Sequence, residues 1–448
     1  MTEIILSPSQ QNVIDMFPDF LMGDDTEMTI TGFAGSGKSF LVKYLADMGE
    51  HQQKLVHFLA PDIPIRKVFF TATTNKAADV LKSFLSRKTS TIHRLLGLKV
   101  KNDYTSGKQV LTDDGTCENL RHSIVVIDEA SMINAELLRT IRFVCKQHTD
   151  CKIIYIGDKY QLPPVKEDVC PVFLAALGNS KNIFNLVEIQ RQVADSPIIQ
   201  LSAEYRKQLD DHQVKWPTIK TQEPAIVHYE DKMPFFHEIA KAFMNTRAPK
   251  DTYKIIAWSN ERVRAYNDWV RQLHGRPKIY EVGERVITNQ PLFKGRSIVA
   301  STDSQHIIKT ISPAKVDECK GHMISVEGDT PGVFFQPSNW AQANARAKAY
   351  AGEKDWSKYW EIKERWADLR PVHATTVHKS QGSTYNEVFV DLNNIGKCNR
   401  WKDVARLAYV AVTRASTRVH IYGSLYERYS KEPTINLMEH FKHACIQT

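Results

Sequence analysis

Gly32-Phe33-Ala34-Gly35-Ser36-Gly37-Lys38-Ser39 places three glycines, a lysine and a hydroxyl in the order G-x-x-x-x-G-K-[ST], which suits a triphosphate. Around Gly35, Ser36 and Gly37 the backbone is free to turn its N–H groups onto phosphate oxygens, and the helix that follows adds the positive end of its dipole. Lys38 is then the residue that reaches the β and γ oxygens, and Ser39 the one that ligates magnesium. Further on, the apolar run Val125-Val126-Ile127 ends in Asp128 and Glu129. Two adjacent acids past a strand suit a division of labour: Asp128 holds Mg2+ directly or through water, and Glu129 orients or deprotonates the attacking water. The two patterns together predict a nucleoside triphosphatase.

Such residues need a rigid edge to sit on. Short β-branched runs at Met28 to Thr31, Val68 to Ala72, Ser123 to Ile127 and Ile153 to Ile156 alternate with segments of helical period, among them Phe40 to Leu45 after the glycine loop. Alternating units of this kind build a parallel sheet, and each run carries its polar motif just past its C-terminal end, where open α/β sheets bind ligands. Between Leu96 and Leu120 the pattern breaks. Turn signals at Asn102, Asp103, Ser106 and Gly107, and again at Asp113, Asp114 and Gly115, predict an inserted β-hairpin.

A second alternating set starts near Ala225, with strand candidates Tyr253 to Trp258, Glu387 to Asp391 and Arg418 to Tyr422. It is interrupted from about Gly283 to Arg370 by short strands, such as Glu284 to Thr288 and Gln305 to Ile311. A helical stretch holding Trp340, Trp356, Trp360 and Trp366 follows them. The interruption reads as a small β-barrel with a helical extension.

With 448 residues, 42% hydrophobic and 25% charged, the chain has material for two to four packed domains and is too apolar to be disordered. A net charge of +8 suits a polyanionic partner. The seven cysteines show neither a C-x-x-C pair nor a zinc-ligand spacing and read as reduced thiols. Nothing after Met1-Thr2-Glu3-Ile4 resembles a leader, and no stretch nears the roughly 18 apolar residues of a membrane span. A soluble, cytoplasmic, unexported protein without membrane attachment is expected.

Many unrelated enzymes share the phosphate loop and the acidic pair, so the remaining motifs must specify the chemistry. Gly157-Asp158-Lys159-Tyr160-Gln161-Leu162-Pro163-Pro164-Val165 resembles motif III of the superfamily 1 helicases, G-D-x-x-Q-L-P-P-V. In physical terms Gln161 is an uncharged amide able to sense a γ-phosphate, and the two prolines stiffen the backbone after it. Other helicase motifs have counterparts in the same order. Ala72-Thr73-Thr74-Asn75-Lys76-Ala77-Ala78 resembles motif Ia, Ser90-Thr91-Ile92-His93 motif Ib, Thr376-Val377-His378-Lys379-Ser380-Gln381-Gly382 motif V and Tyr409-Val410-Ala411-Val412-Thr413-Arg414-Ala415 motif VI. Leu6-Ser7-Pro8-Ser9-Gln10 resembles the Q motif. The chain as a whole resembles the small monomeric DNA helicases of the superfamily 1B group.

That resemblance implies two RecA-like parallel-sheet domains, ATP and Mg2+ as cofactors, and 5′-to-3′ movement on single-stranded DNA with unwinding of forked duplexes. The implied division is 1–190 for the first domain, 191–282 with 371–448 for the second, a hairpin "pin" at 97–120, and an SH3-like domain with a helical tower at 283–370. It also assigns Gln10 to the adenine edge, Gly382 to the nucleotide, and Arg414 and Arg191 to the γ-phosphate. On the DNA face it places Thr74, Asn75, His93, Pro163, Trp258, Asn260, Thr376, His378 and Lys379. Tyr104, Val110 and Leu111 are the candidates for splitting the duplex. A role in phage replication or recombination is implied, with a single-strand binding protein or recombinase as possible company. The rival reading is a DNA-stimulated translocase that remodels protein–nucleic acid complexes without unwinding.

Overall fold

The computed structural model describes residues 6–102, 109–113, 115–164, 167–176, 182–188, 196–211, 215–245, 247–249, 251–277, 279–295, 297–327, 332–425 and 429. The chain divides by contact into two units. One comprises 1–159, 163–190 and 265–374, and the other 160–162, 191–264 and 375–448.

The first unit opens with helix α1 (Pro8–Met22), whose start is fixed by a capping box. The Ser7 hydroxyl accepts from the Gln10 N–H, and the Gln10 side-chain oxygen accepts from the Ser7 N–H. Strand β1 (Glu27–Gly32) leads through the glycine loop into α2 (Lys38–Leu59). Then come β2 (Lys67–Ala72), α3 (Asn75–Leu85), β3 (Thr89–Thr91), α4 (Ile92–Leu95), β4 (Leu98–Asn102), β5 (Gln109–Asp113), β6 (Ser123–Asp128), α5 (Ala135–Gln147), β7 (Cys151–Gly157), α6 (Pro171–Ala176) and β8 (Ile183–Leu186).

Six of these strands form a parallel sheet in the order β3-β2-β6-β7-β1-β8. The central strands β1, β6 and β7 are buried on both faces, so the near-continuous apolar runs of β6 and β7 are what a covered parallel sheet requires. One face packs on Phe17, Phe20, Leu41, Val42 and Leu81, and the other on Ile92, Leu137, Leu138 and Ile141. Fully burying such a side chain contributes about 1.5–3 kcal/mol. The register sets Ala72 beside Asp128 and beside Thr91, and Thr31 beside Gly157, so the ends of five strands form one edge. Four strands expected from the sequence lie in this sheet, each one to three residues longer than read. The helix read as Phe40 to Leu45 continues to Leu59. Helix α1 and strands β3 and β8 are additions that the alternating pattern did not reveal.

Within residues 97–120, β4 and β5 pair antiparallel, Leu98 opposite Asp113 and Asn102 opposite Gln109. Tyr104 lies outside the described residues, and of Val110 and Leu111 only the backbone is described.

The second unit carries α7 (Pro197–Asp210), β9 (Ile226–Tyr229), α8 (Lys232–Phe243), β10 (Tyr253–Ala257) and the start of α9 (Asn260–Leu273). The remainder of α9 belongs to the first unit. With it come β11 (Arg285–Thr288), β12 (Leu292–Lys294), β13 (Ser297–Ala300), β14 (Gln305–Val316), β15 (Cys319–Val326), β16 (Val333–Pro337), α10 (Trp340–Gly352), α11 (Trp356–Trp360) and β17 (Leu369–Pro371). An antiparallel sheet in the order β16-β15-β14-β11-β17 forms here, with β12 and β13 as a separate pair. Ala343, Ala347 and Tyr350 of α10 pack with Phe335 and Trp366, whose rings meet edge to face at 4.8 Å. A bidentate ion pair joins α9 to this segment: Arg271 donates from Nε to one Glu284 oxygen at 2.6 Å and from Nη2 to the other at 3.0 Å, both side chains being buried.

The chain then returns to the second unit through β18 (Ala374–Thr376), α12 (Val377–Ser380), β19 (Tyr385–Asp391), α13 (Leu392–Ile395), α14 (Trp401–Val412) and β20 (Ala415–Tyr422). Its sheet runs β18-β10-β19-β20-β9, with β10, β19, β20 and β9 parallel. Helix α14 is nearly all buried, from Val404 through Val412. No helix among the described residues is long and apolar enough to cross a membrane.

Candidate nucleotide site

The loop between β1 and α2 owes its shape to backbone that only glycine adopts readily. Gly35 and Gly37 have φ of 82° and 81°, in the left-handed region. Helix α2 starts at Lys38 with no side-chain cap, so its first N–H groups are directed at whatever occupies the loop. Lys38 Nζ donates to the carbonyls of Gly32 at 2.6 Å and Phe33 at 2.9 Å, which draws the ammonium back over the loop. Ser36 Oγ is buried and has no hydrogen-bond partner among the described residues, while Ser39 is exposed. An uncapped 22-residue helix, an ammonium group and an unsatisfied buried hydroxyl fit an anionic phosphate chain.

Asp128 ends β6 on the same edge. Burial pushes its carboxyl above the usual range, against the pull of the Glu129 N–H, which donates to it at 2.8 Å, and of the Lys38 charge. Glu129 sits at φ 53° and ψ 40°, a left-handed conformation that costs a non-glycine residue roughly 1–3 kcal/mol. Its carbonyl accepts from Thr73 Oγ1 at 3.3 Å, so the segment after β2 helps hold the strained residue. Gly157 ends β7 against the turn formed by Ala130–Met132. A Cβ there would lie 3.1 Å from the Ala130 nitrogen and 3.2 Å from that of Ser131, so a side chain fits only if the turn gives by a few tenths of an ångström. Among the described residues no cluster of three or more His, Cys, Asp or Glu could hold a metal. Mg2+ would therefore need oxygens from nucleotide and water beside Ser39 and Asp128.

Gln10 is wholly buried, and its carboxamide serves the fold: the oxygen accepts from the Ser7 N–H at 2.9 Å and Nε2 donates to the Gly37 carbonyl at 3.2 Å. The amide thus ties α1 to the phosphate loop. Glu188, just past β8, accepts from Ser9 and, at 3.3 Å, from Ser7, which anchors the same turn.

Thr74 caps α3 by accepting from the Ala77 N–H at 3.2 Å, leaving Asn75 exposed in the first turn. Thr91 does the same for α4, on which His93 is half-buried, and burial holds its imidazole below the ordinary value. Pro163 is half-buried.

In the second unit Thr376 caps α12, its hydroxyl accepting from the Lys379 N–H at 3.3 Å. His378 is exposed, yet desolvation by the protein around it still holds its pKa down; Gly382 has φ of 68°. Arg414 is buried and fixed through all three guanidinium nitrogens, to the carbonyls of Val410 and Ser383 and to the Thr413 hydroxyl, each at 3.2 Å. Trp258 is half-buried and Asn260 exposed, and Arg191 lies outside the described residues.

Three residues of the second unit were not assigned roles from the sequence. Asn394 Oδ1 accepts from the N–H groups of Trp258 at 2.8 Å and Ser259 at 2.9 Å. Asp391, almost fully buried, accepts from Arg262 at 2.6 Å. Gln381 donates to the Leu162 carbonyl at 3.3 Å. A signal existed for the first two, since Asp391 and Asn394 stand at the C-terminal end of an apolar strand, as Asp128 does.

A phosphate loop, an acidic strand end and a second parallel sheet with a fixed arginine are the arrangement of a P-loop α/β fold built from two parallel-sheet units. Two family models match the chain: an AAA domain over residues 5–220 and a UvrD-like helicase C-terminal domain over residues 371–422. The chain resembles the superfamily 1B DNA helicases along most of its length. It is 23% identical to the ATP-dependent DNA helicase dda of Enterobacteria phage T4, covering 92% of this chain and 98% of that one. To the ATP-dependent DNA helicase Pif1 of Bdellovibrio bacteriovorus it is 24% identical over 94% of this chain and 88% of the other. A solved structure of two coordinating Pif1 helicases at forked duplex DNA aligns over 98% of this chain and 97% of its own, with a TM-score of 0.49 and 18% identity.

Proposed function

We propose that this chain is an ATP-dependent DNA helicase that moves 5′ to 3′ on single-stranded DNA and opens forked duplexes, serving phage replication or recombination. The observation that carries the reading is the pairing, in one chain, of a complete phosphate-loop edge with a second unit matched by the helicase C-terminal family over residues 371–422.

In this reading Lys38 neutralises charge on the β and γ oxygens, Glu129 takes the proton of the attacking water, and Ser39 and Asp128 hold Mg2+. The bound Mg2+ supplies charge neutralisation at the phosphates. Gln161 and Arg191 sense the γ-phosphate, and Gly382 lies against the nucleotide. Arg414, fixed at all three nitrogens, is preorganised to stabilise transition-state charge with little reorganisation. Gln10 shapes the loop through Gly37 and thereby sets the wall on the adenine side of the site. The strand runs over Thr74, Asn75, His93, Pro163, Trp258, Asn260, Thr376, His378 and Lys379, where capped helix starts, amides and an indole suit backbone contact and base stacking. The hairpin of β4 and β5 acts as the pin, the antiparallel segment within 283–370 as an SH3-like domain with its tower, and the motor works as a monomer.

Strand displacement with ATP and magnesium, on partial duplexes that differ only in a 5′ or a 3′ single-stranded tail, tests this. Unwinding of the 5′-tailed substrate alone is expected. Preference for the 3′ tail would reverse the polarity, and DNA-stimulated hydrolysis without unwinding of either would replace helicase by remodelling translocase.

A further inference from the structure

Three residues after β7 pack with the second unit although the strand before them and the prolines after them belong to the first. Tyr160 is the first of the three. Its hydroxyl donates toward both carboxylate oxygens of Asp210, at the end of α7, each at 3.0 Å. Its ring meets that of Tyr409 edge to face, with centroids 6.5 Å apart and planes at 67°, and the Arg206 guanidinium lies 5.6 Å from its centroid. Tyr409 is fully buried on α14, and its carbonyl accepts from the Thr413 N–H at 3.1 Å, the residue next to Arg414. Leu162, at the other end of the segment, is buried and held at its carbonyl by Gln381, whose amide also reaches Gln161 Oε1 at 3.5 Å.

Gln161 therefore stands between two attachments to the second unit, one through Tyr160 and one through Leu162. Asp158, two residues before Tyr160, is wholly buried at the end of the first sheet, and two residues of chain span at most about 7 Å. The prolines at 163 and 164 stiffen the exit. A segment this short and this constrained has little slack to absorb movement. Tyr160 occupies an unspecified position of the G-D-x-x-Q-L-P-P-V pattern, so the motif by itself gives it no role.

We propose that Tyr160 is a positioning residue that locks the loop after β7 to α7 and α14, so that Gln161 follows the second unit and hydrolysis is coupled to strand movement. The proposal rests on the helicase reading. Aromatic and hydroxyl contributions separate by substitution: Tyr160→Ala removes the ring and the hydroxyl, while Tyr160→Phe and Asp210→Asn each weaken the same hydroxyl–carboxylate contact.

The test uses the full chain and measures ATP turnover with and without oligothymidylate, KM for ATP, duplex opened per ATP hydrolysed, and thermal melting. Tyr160→Ala is expected to lower duplex opened per ATP by about tenfold, with KM for ATP within about twofold. Tyr160→Phe and Asp210→Asn are expected to give equal, smaller losses that do not add in the double variant, because they act on one contact. A parallel fall in hydrolysis and opening, or an unchanged ratio in every variant, overturns the coupling role while the helicase reading stands. An unsubstituted chain whose hydrolysis ignores oligothymidylate overturns both.

Discussion

The turn from β1 into α2 and the turn from β10 into α9 are built on the same plan, a parallel strand followed by a helix, yet they are finished in opposite ways. Gly35 and Gly37 add no side chains to the first turn and α2 starts without a cap, so its N–H groups remain for a ligand. In the second turn Asn394 takes the N–H groups of Trp258 and Ser259, and the Ser259 hydroxyl takes that of Arg262 at 3.3 Å. The protein thus supplies its own acceptors there, and what the turn presents is an indole and an amide. One topology yields a candidate phosphate cradle where backbone donors are left over, and a candidate stacking platform where they are used up.

The largest expected effect comes from emptying the cradle. Lys38→Ala should reduce ATP hydrolysis on the order of 10²–10³-fold while sparing most single-strand binding, measured by phosphate release and by fluorescence anisotropy of a labelled oligonucleotide. Equal loss of both would erase the contrast between the two turns. Next comes Asn394→Ala, which strips the acceptor from two half-buried N–H groups. A loss of about 1–3 kcal/mol in urea unfolding is expected, together with weaker strand binding and retained basal hydrolysis. Should strand binding be unaffected, Trp258 does not depend on this scaffold.

Gly37→Ala forces a Cβ into left-handed backbone, at a cost of roughly 1–2 kcal/mol, and should show mainly as a raised KM for ATP. An unchanged KM would mean that the loop does not need that conformation. The smallest effect concerns His93, whose folded pKa lies below its unfolded one because of burial. The unfolded chain then binds the proton first as pH falls through about 6.5, so this contribution to stability is complete above that pH and is lost below it. Urea midpoints at pH 7.5, 6.5 and 5.5 should decline less steeply for His93→Asn than for the unsubstituted chain. Identical slopes would place the titration elsewhere.

The edge proposed for the nucleotide was legible as a strand–loop–helix pattern because its signals are local. Glycines, a lysine and two acids must stand at fixed offsets from strand ends, and period-two and helical patterns mark those ends. Helix α1 was missed because its apolar positions are broken by Pro18 and its start lies in a motif read for ligand chemistry. Gln10 illustrates the same gap, since the residue was legible while its bonds to Ser7 and Gly37 were not. Strand β8 is only four residues long, too short for a period to register.

By itself the sequence determined the α/β class, the order of the strands along the chain and the residues around the phosphate loop, all properties of short segments. Tertiary structure decided what depends on distant segments meeting. It set the register that aligns Ala72, Asp128 and Gly157, the partnership of Asn394 with a loop 136 residues before it, and the attachment of Tyr160 to Asp210 and Tyr409. The physical reason is that a hydrogen bond or ring contact between remote residues is chosen by packing of the whole sheet, and no local propensity encodes its partner.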